Sequence, residues 1–265
     1  MGYKISQIIK FIEDWAKPSY QESWDNSGWQ ILTKDREVEK VLLALDLTDN
    51  VVDKAIKEGA NLIITHHPLF FDSVKNIKDD DYIGNNIIKL IQNNISLYSA
   101  HTSMDIAEEG VNDTICDYLG LEKIAGLEET DKGYYLGNIA KNSKNLSLID
   151  IYNLFDKLSD KNEVGVYGRA KDKIDKIAIC GGSGFSLFES FKESGADLFI
   201  TADIKHHQAQ QAYENDLCIM DIGHHNGEKL IINKIKDKLE KNFSIEVLTY
   251  LNNDYKIDIN HIENK

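Results

Sequence analysis

Apolar residues recur at Ile5, Ile8, Ile9, Ile12 and Trp15 and stop before Pro18, a spacing that predicts an amphipathic helix over residues 4–17 with one buried face. The continuous apolar run from Val41 to Leu45 predicts a buried strand ending at Asp46. A helix through Val51, Val52, Ala55 and Ile56 follows, and Gly59 ends it. Leu62, Ile63 and Ile64 form a second buried strand that runs into Thr65-His66-His67-Pro68. Pro68 drives His67 out of the helical region, so both imidazoles are delivered at a strand end, where ligands of open α/β sheets sit. Further along, the pattern predicts helices through Ile87–Ile91, Val111–Leu119, Leu146–Leu158, Gln208–Glu214 and 229–241. Strands are expected at Ile95–Ala100, Val164–Tyr167, Ile177–Cys180, Leu198–Thr201, Leu217–Gly223 and Phe243–Leu251, and residues 254–265 read as a frayed end.

One constant shift lays Val38-Glu39-Lys40 on Ile174-Asp175-Lys176 and Gly59 to Thr65 on Gly195 to Thr201, with no gap between the two anchors. The chain therefore carries two copies of a strand, helix, strand unit. The fold class this predicts is α/β: duplicated α/β modules packed about a pseudo-twofold axis, with a metal site between them. The expected organisation is one domain over residues 1–265, with repeat halves at about 1–125 and 170–265 and a connector at 126–169. No Pro-, Gly- or Ser-rich tether separates the halves.

A second matched pair carries the chemistry. His101 is followed four residues later by Asp105, and His224 four residues later by Glu228, each pair at the end of an expected strand. On a helix that spacing sets both groups on one face, and in a loop leading into a helix it keeps them close enough to share an ion. If the two modules face each other, His66, His67, Asp105, His224 and Glu228 line one cavity. Nitrogen and oxygen donors without thiolate suit two neighbouring divalent ions that share a carboxylate and an acidified water, with Glu228 as the bridge. Taken singly, these residues have plainer readings: a histidine pair capping a strand, or histidines on the polar helix after Lys205 that are merely solvated. Trp24 and Trp29, around Asp25-Asn26, read as a pocket wall or as core fillers. Asp79-Asp80-Asp81 reads as an exposed acidic loop or helix start. The turn Gly181-Gly182-Ser183-Gly184 has the spacing of neither a Rossmann fingerprint nor a P-loop and implies close backbone approach.

Composition narrows the field. Thirty Lys and Arg against 44 Asp and Glu give a formal charge of −14, which argues against a general nucleic-acid or anionic-membrane binder. Cys116, Cys180 and Cys218 lie far apart in apolar segments, as expected of buried thiols in a reducing compartment. No secretory leader pattern and no apolar run of about 20 residues is present, so a cytoplasmic protein is expected.

The segments SWDNSGWQI, LALDLT, LIITHHPLFF, AHTSMDIAEEGVND, GGSG, ADLFITADIKHHQAQQA and IGHHNGE, in that order between about 22 and 230, resemble the successive motifs of the NGG-one-interacting-factor-three-like family, the type 2 homologues of GTP cyclohydrolase I. The chain is similar to the short form, without an inserted middle domain. The resemblance implies a dinuclear metal centre of zinc, iron or manganese ions and a toroidal homohexamer whose sites face an internal cavity. It puts the metal ligands on His66, His67, Asp105, His224 and Glu228, and acid/base or substrate-positioning roles on His101 and His207. The sequence departs from the family pattern at Ala202, at His225 and near Gly137, where the usual arginine is missing. The activity implied is hydrolysis of a nucleotide-like or cyclic amidine C–N bond. The alternatives are a metal-handling, metallochaperone-like protein and a hexameric scaffold stiffened by its ions.

Overall fold

The computed structural model describes residues 2–159 and 163–256. In chain order the elements are α1 (Ile5–Trp15), β1 (Gly28–Ile31), β2 (Lys40–Ala44), α2 (Asp49–Glu58), β3 (Leu62–Thr65), α3 (Tyr82–Gln92), β4 (Ser96–Ser99), α4 (Thr102–Ile106), α5 (Val111–Leu119), β5 (Glu122–Glu129) and β6 (Tyr135–Lys141). They continue with α6 (Leu148–Leu158), β7 (Gly165–Gly168), β8 (Lys176–Ile179), α7 (Phe188–Ser194), β9 (Leu198–Thr201), α8 (His206–Glu214), β10 (Cys218–Asp221), α9 (His224–Asn242) and β11 (Glu246–Tyr250). Two compact units result, Met1–Ala107 with Ile231–Lys265, and Glu108–Leu230. The chain is a mixed α/β protein with two modules.

The first unit holds a five-stranded sheet in the order β1-β4-β3-β2-β11. Strands β2, β3 and β4 are parallel, and β1 closes one edge antiparallel to β4. Leu42, Ala44, Ile63 and Leu97 of this sheet pack with Val51, Val52 and Ala55 of α2 and Leu90 of α3. Helix α2 begins because the Thr48 hydroxyl accepts from the Val51 amide at 3.3 Å, and ends at Gly59, whose φ of 72° a residue with a Cβ resists. The acidic run at 79–81 is a helix start: the Asp81 carboxylate caps α3 through the Gly84 amide at 2.8 Å.

The second unit holds a six-stranded sheet, β5-β6-β8-β9-β10-β7. Its parallel centre repeats that of the first unit register for register: Val41 faces Leu62 and Ile64 faces Tyr98 in one sheet, while Ile177 faces Leu198 and Ile200 faces Met220 in the other. Strand β7 lies antiparallel to β10 as β1 does to β4. Ala178, Cys180, Phe199 and Ile219 pack with Phe188 and Phe191 of α7 and Ala212 of α8.

Three local readings differ from the sequence pattern. Residues 122–141, within and beside the expected connector, form an antiparallel hairpin that pairs through β6 onto β8. Most of β5 is exposed, so it lacks the apolar alternation that marks a strand. The turn-rich segment around Trp24 runs directly into β1, an edge strand of mixed polarity. Helix α9 begins at His224, a full turn before residue 229, and carries Ile231, Ile232, Ile235 and Leu239 inward. Of the expected frayed end, residues 257–265 lie outside the described residues. Among the described residues no helix is long and apolar enough to cross a membrane. Cys116 and Cys218 are buried, and burial pushes their thiols up to about 12 and about 11.

Candidate metal centre

In the first unit, His66 and His67 leave the end of β3 and His101 leaves the end of β4, so adjacent parallel strands deliver three rings to one place. The ring centroids lie 5.0, 5.3 and 5.4 Å apart, and one nitrogen from each ring falls within 4.8 Å of the others. Each Nδ1 has an oxygen partner. His66 Nδ1 donates to the Ala100 carbonyl at 2.9 Å, His67 Nδ1 to Asp46 at 2.8 Å and His101 Nδ1 to Asp25 at 2.8 Å. A carbonyl or carboxylate oxygen only accepts, so the hydrogen of each neutral ring resides on Nδ1 and the lone pair on Nε2. This outer shell of acceptors is how metal-binding imidazoles are oriented and made more basic. Asp105, on the short helix α4 whose start is set by His101, places Oδ1 3.6 Å from His66 Nε2. Two ligands held about 2.1 Å from one ion stand about 3.0–3.4 Å apart in octahedral or tetrahedral geometry, so this pair is close to the spacing of a shared ion.

Asp25 explains why His101 is where it is. Its side chain is fully buried. One oxygen accepts from His101 Nδ1 and the Asn26 amide, the other from the Ser27 hydroxyl at 2.6 Å and from the Thr102 amide and hydroxyl at 3.1 and 2.6 Å. Burial opposes the charge, but the hydrogen bonds from His101, Ser27 and Thr102 outweigh it and hold the carboxyl well below the usual carboxylate range. The exposed Trp24 and Phe71 rings stand edge-on to His101 at 5.8 and 5.7 Å.

The second unit holds the other pair. His224 and Glu228 are one turn apart on α9, with Nε2 3.1 Å from Glu228 Oε2. His224 Nδ1 donates to Asp203 at 2.7 Å. Asp203 follows β9 at the position that His67 occupies after β3 in the repeat, and adopts φ 59°, a left-handed conformation uncommon outside glycine. Burial works against a charged His224, but Glu228 and Asp203 on its two sides overcome it and push the imidazole up to about 11. A cation, proton or metal, is what this arrangement accommodates. The Gly181–Gly184 turn makes room for it: Gly182 has φ +64°, and a Cβ there would collide with Glu228 Oε1 and stand 3.5 Å from His224 Cε1. Asn112 fixes the turn by accepting from the Gly181 amide at 2.9 Å, and the Thr201 hydroxyl accepts from the Gly184 amide at 2.9 Å.

Of the residues singled out in the sequence, His66, His67, Asp105 and His101 thus lie together in the first unit, and His224 and Glu228 lie together in the second. His207 is exposed on the first turn of α8. Sequence reasoning passed over Asp25, Asp46 and Asp203 as partners of the histidines. Asp46 at the end of β2 was the readable signal, since adjacent strand ends bring its carboxylate to His67. Carboxylate and imidazole donors of this kind fit a divalent ion such as zinc, iron or manganese.

Comparison with known proteins adds to this geometry. A "GTP cyclohydrolase 1 type 2 homolog" of Clostridium perfringens (strain 13 / Type A) is 37% identical over 246 residues, covering 92% of this chain and 94% of the relative. A Staphylococcus aureus protein described as hypothetical has a crystal structure that matches with a TM-score of 0.86 and 29% identity, over 97% of this chain and 100% of that one. The structure of reduced HcgD from Methanocaldococcus jannaschii matches with a TM-score of 0.82 and 31% identity, over 94% of this chain and 98% of that one. Residues 3–254 match the model of the Duf34/NIF3 (NGG1p interacting factor 3) family, and the chain belongs to that family.

Proposed function

We propose that the protein is a metal-dependent hydrolase in which His66, His67 and Asp105 of the first unit and His224 and Glu228 of the second hold two divalent ions, and that it cleaves a C–N bond in a nucleotide-like or cyclic amidine substrate. The observation that carries this reading is the shared anchoring of the imidazoles through Nδ1. His66, His67 and His224 each commit Nδ1 to an oxygen acceptor, which aims Nε2 at a ligand position. The meeting of the two half-sites across a pseudo-twofold axis belongs to the proposal, and its support is the repeated strand order and register.

Ions of this kind polarise a substrate and bring the ionisation of water toward neutral pH. The chain's own residues then have separable tasks. Glu228, one helical turn from His224 and faced by the Cβ-free Gly182, would be the carboxylate that holds the ions together with His224. His101 serves as acid and base. Asp25 holds its Nδ1 hydrogen, leaves Nε2 to take up or return a proton, and balances the imidazolium that results. His207 is proposed as a second acid/base or positioning group. Assembly into a toroidal homohexamer in the cytoplasm is proposed on the family resemblance. The test is Glu228→Gln at saturating metal: the proposal expects the ions to be retained and saturable turnover of candidate heterocycles to be lost. Ready transfer of metal to an apo-acceptor by a wild-type protein with no turnover would instead make this a metal carrier.

A further inference from the structure

Beside His67 the first unit opens into a cavity of about 530 Å³, in the range that holds small organic ligands. Phe71, Tyr82 and Tyr255 line it and leave 58%, 65% and 64% of their surface exposed. Large rings left open to water around one cavity are apolar surface waiting for a partner. The same Phe71 ring lies 5.7 Å from His101, so a flat molecule resting against it would extend from the cavity toward the histidine cluster.

The polar groups of the wall define what that molecule carries. Asp46, Asp49 and Asp254 line the cavity, and no lysine or arginine is among the described residues that do. The first turn of α2 also faces this space, but its attraction for an anion is already answered. The Thr48 hydroxyl caps the Val51 amide and Asp49 supplies a carboxylate in the first turn. Asp254 is fixed by hydrogen bonds from the Thr48 and Tyr250 hydroxyls at 2.8 and 2.6 Å, and the Tyr255 hydroxyl donates to Asp46, so these two carboxylates are held in place. Lys89 stands 3.6 Å from Asp49 and is already shared with Asp53 at 2.9 Å, so among the described lining residues a triphosphate would find carboxylates and no lysine or arginine of its own to pair with.

From this wall of rings and carboxylates beside His67, we infer a substrate subsite for a planar, cationic or N–H-rich nitrogen heterocycle that carries no phosphate chain. The inference rests on reading the histidine cluster as a reaction centre, and it narrows the nucleotide-like substrate to the heterocycle alone. Stacking on the rings and hydrogen bonds to the carboxylates would hold such a molecule with one edge toward His67.

The test uses the full chain both metal-loaded and after exhaustive chelation, with calorimetric titration of 2-aminobenzimidazole as the probe, benzimidazole as its less basic counterpart and GTP as competitor. Saturable binding of 2-aminobenzimidazole in both metal states, at least 10-fold tighter than benzimidazole and not displaced by GTP, supports the subsite. Phe71→Ala and Tyr82→Ala should each weaken the probe at least 5-fold without changing Tm, since both side chains are exposed and neither is needed for the core. Displacement by GTP overturns the inference, as does binding indifferent to both substitutions, or failure to bind in either metal state. Probe binding by protein that takes up no metal would leave the subsite standing while the reading of the metal centre fell.

Discussion

Gly182→Ala separates backbone strain from damage to the site, because the second unit contains its own control. Gly182 and Gly195 share nearly the same left-handed φ, +64° and +65°. An alanine at Gly195 meets nothing within 4 Å, whereas at Gly182 its Cβ collides with Glu228 Oε1 and comes within 3.5 Å of His224 Cε1. Both substitutions should cost the left-handed penalty, about 1–2 kcal/mol, and lower Tm by a few degrees in a chain of this size. Only Gly182→Ala must also drive the Glu228 carboxylate back by about 1 Å, to ordinary van der Waals distance. Disturbing the groups that orient a metal ligand typically costs 10–100-fold in affinity, and moving the ligand itself should cost at least that. Calorimetric melting and competition against a chromophoric chelator measure the two effects separately. A loss of Tm in Gly182→Ala at least as large as in Gly195→Ala, with a loss of metal affinity confined to Gly182→Ala, is expected. Equal metal affinity in the two variants would refute the assignment of Glu228 and the reason given for the glycine turn.

Other expectations follow from the outer shell. Asp46→Asn keeps an oxygen for the His67 Nδ1 hydrogen but removes its charge, so metal affinity should fall about 10-fold by the same chelator competition; an unchanged value would detach Asp46 from the site. Asp25→Asn removes a buried carboxylate that accepts from His101, Asn26, Ser27 and Thr102, and should cost about 2 kcal/mol at neutral pH by denaturant unfolding. Because the folded carboxyl lies below its unfolded value, its contribution is fully present above about pH 4 and is lost as the pH falls further through the folded value. The gap between wild type and variant should therefore narrow as the pH falls below about 4; a gap that stayed undiminished or widened over that acid range would contradict the assignment.

The parallel centre of each sheet could be read from the sequence because its strands are buried on both faces and leave continuous apolar runs, as in Val41 to Leu45 and Leu198 to Thr201. The duplication was visible for the same reason: strand, glycine cap and strand recur at one spacing, and the structure gives the two copies the same strand register. Edge elements were not readable. Strand β5 is exposed along most of its length and is defined by its hairpin partner β6, while β1 mixes polar with apolar positions and is defined by β4, distant in the chain. The start of α9 was obscured because His224, His225, Asn226 and Gly227 are poor helix formers, and here the turn holds the site. The histidines themselves announced the site, but Asp25 and Asp203 act through hydrogen bonds across 76 and 21 residues, and no local pattern records such a partnership.

Counting metal ions per chain by elemental analysis, in the wild type and in His66→Ala and His224→Ala, tests the whole account most directly. The proposal that residues of the two units together hold two divalent ions predicts two ions per chain in the wild type and a clear loss in each variant. A wild type with no stoichiometric ion, or a His224→Ala protein that keeps both, would contradict it.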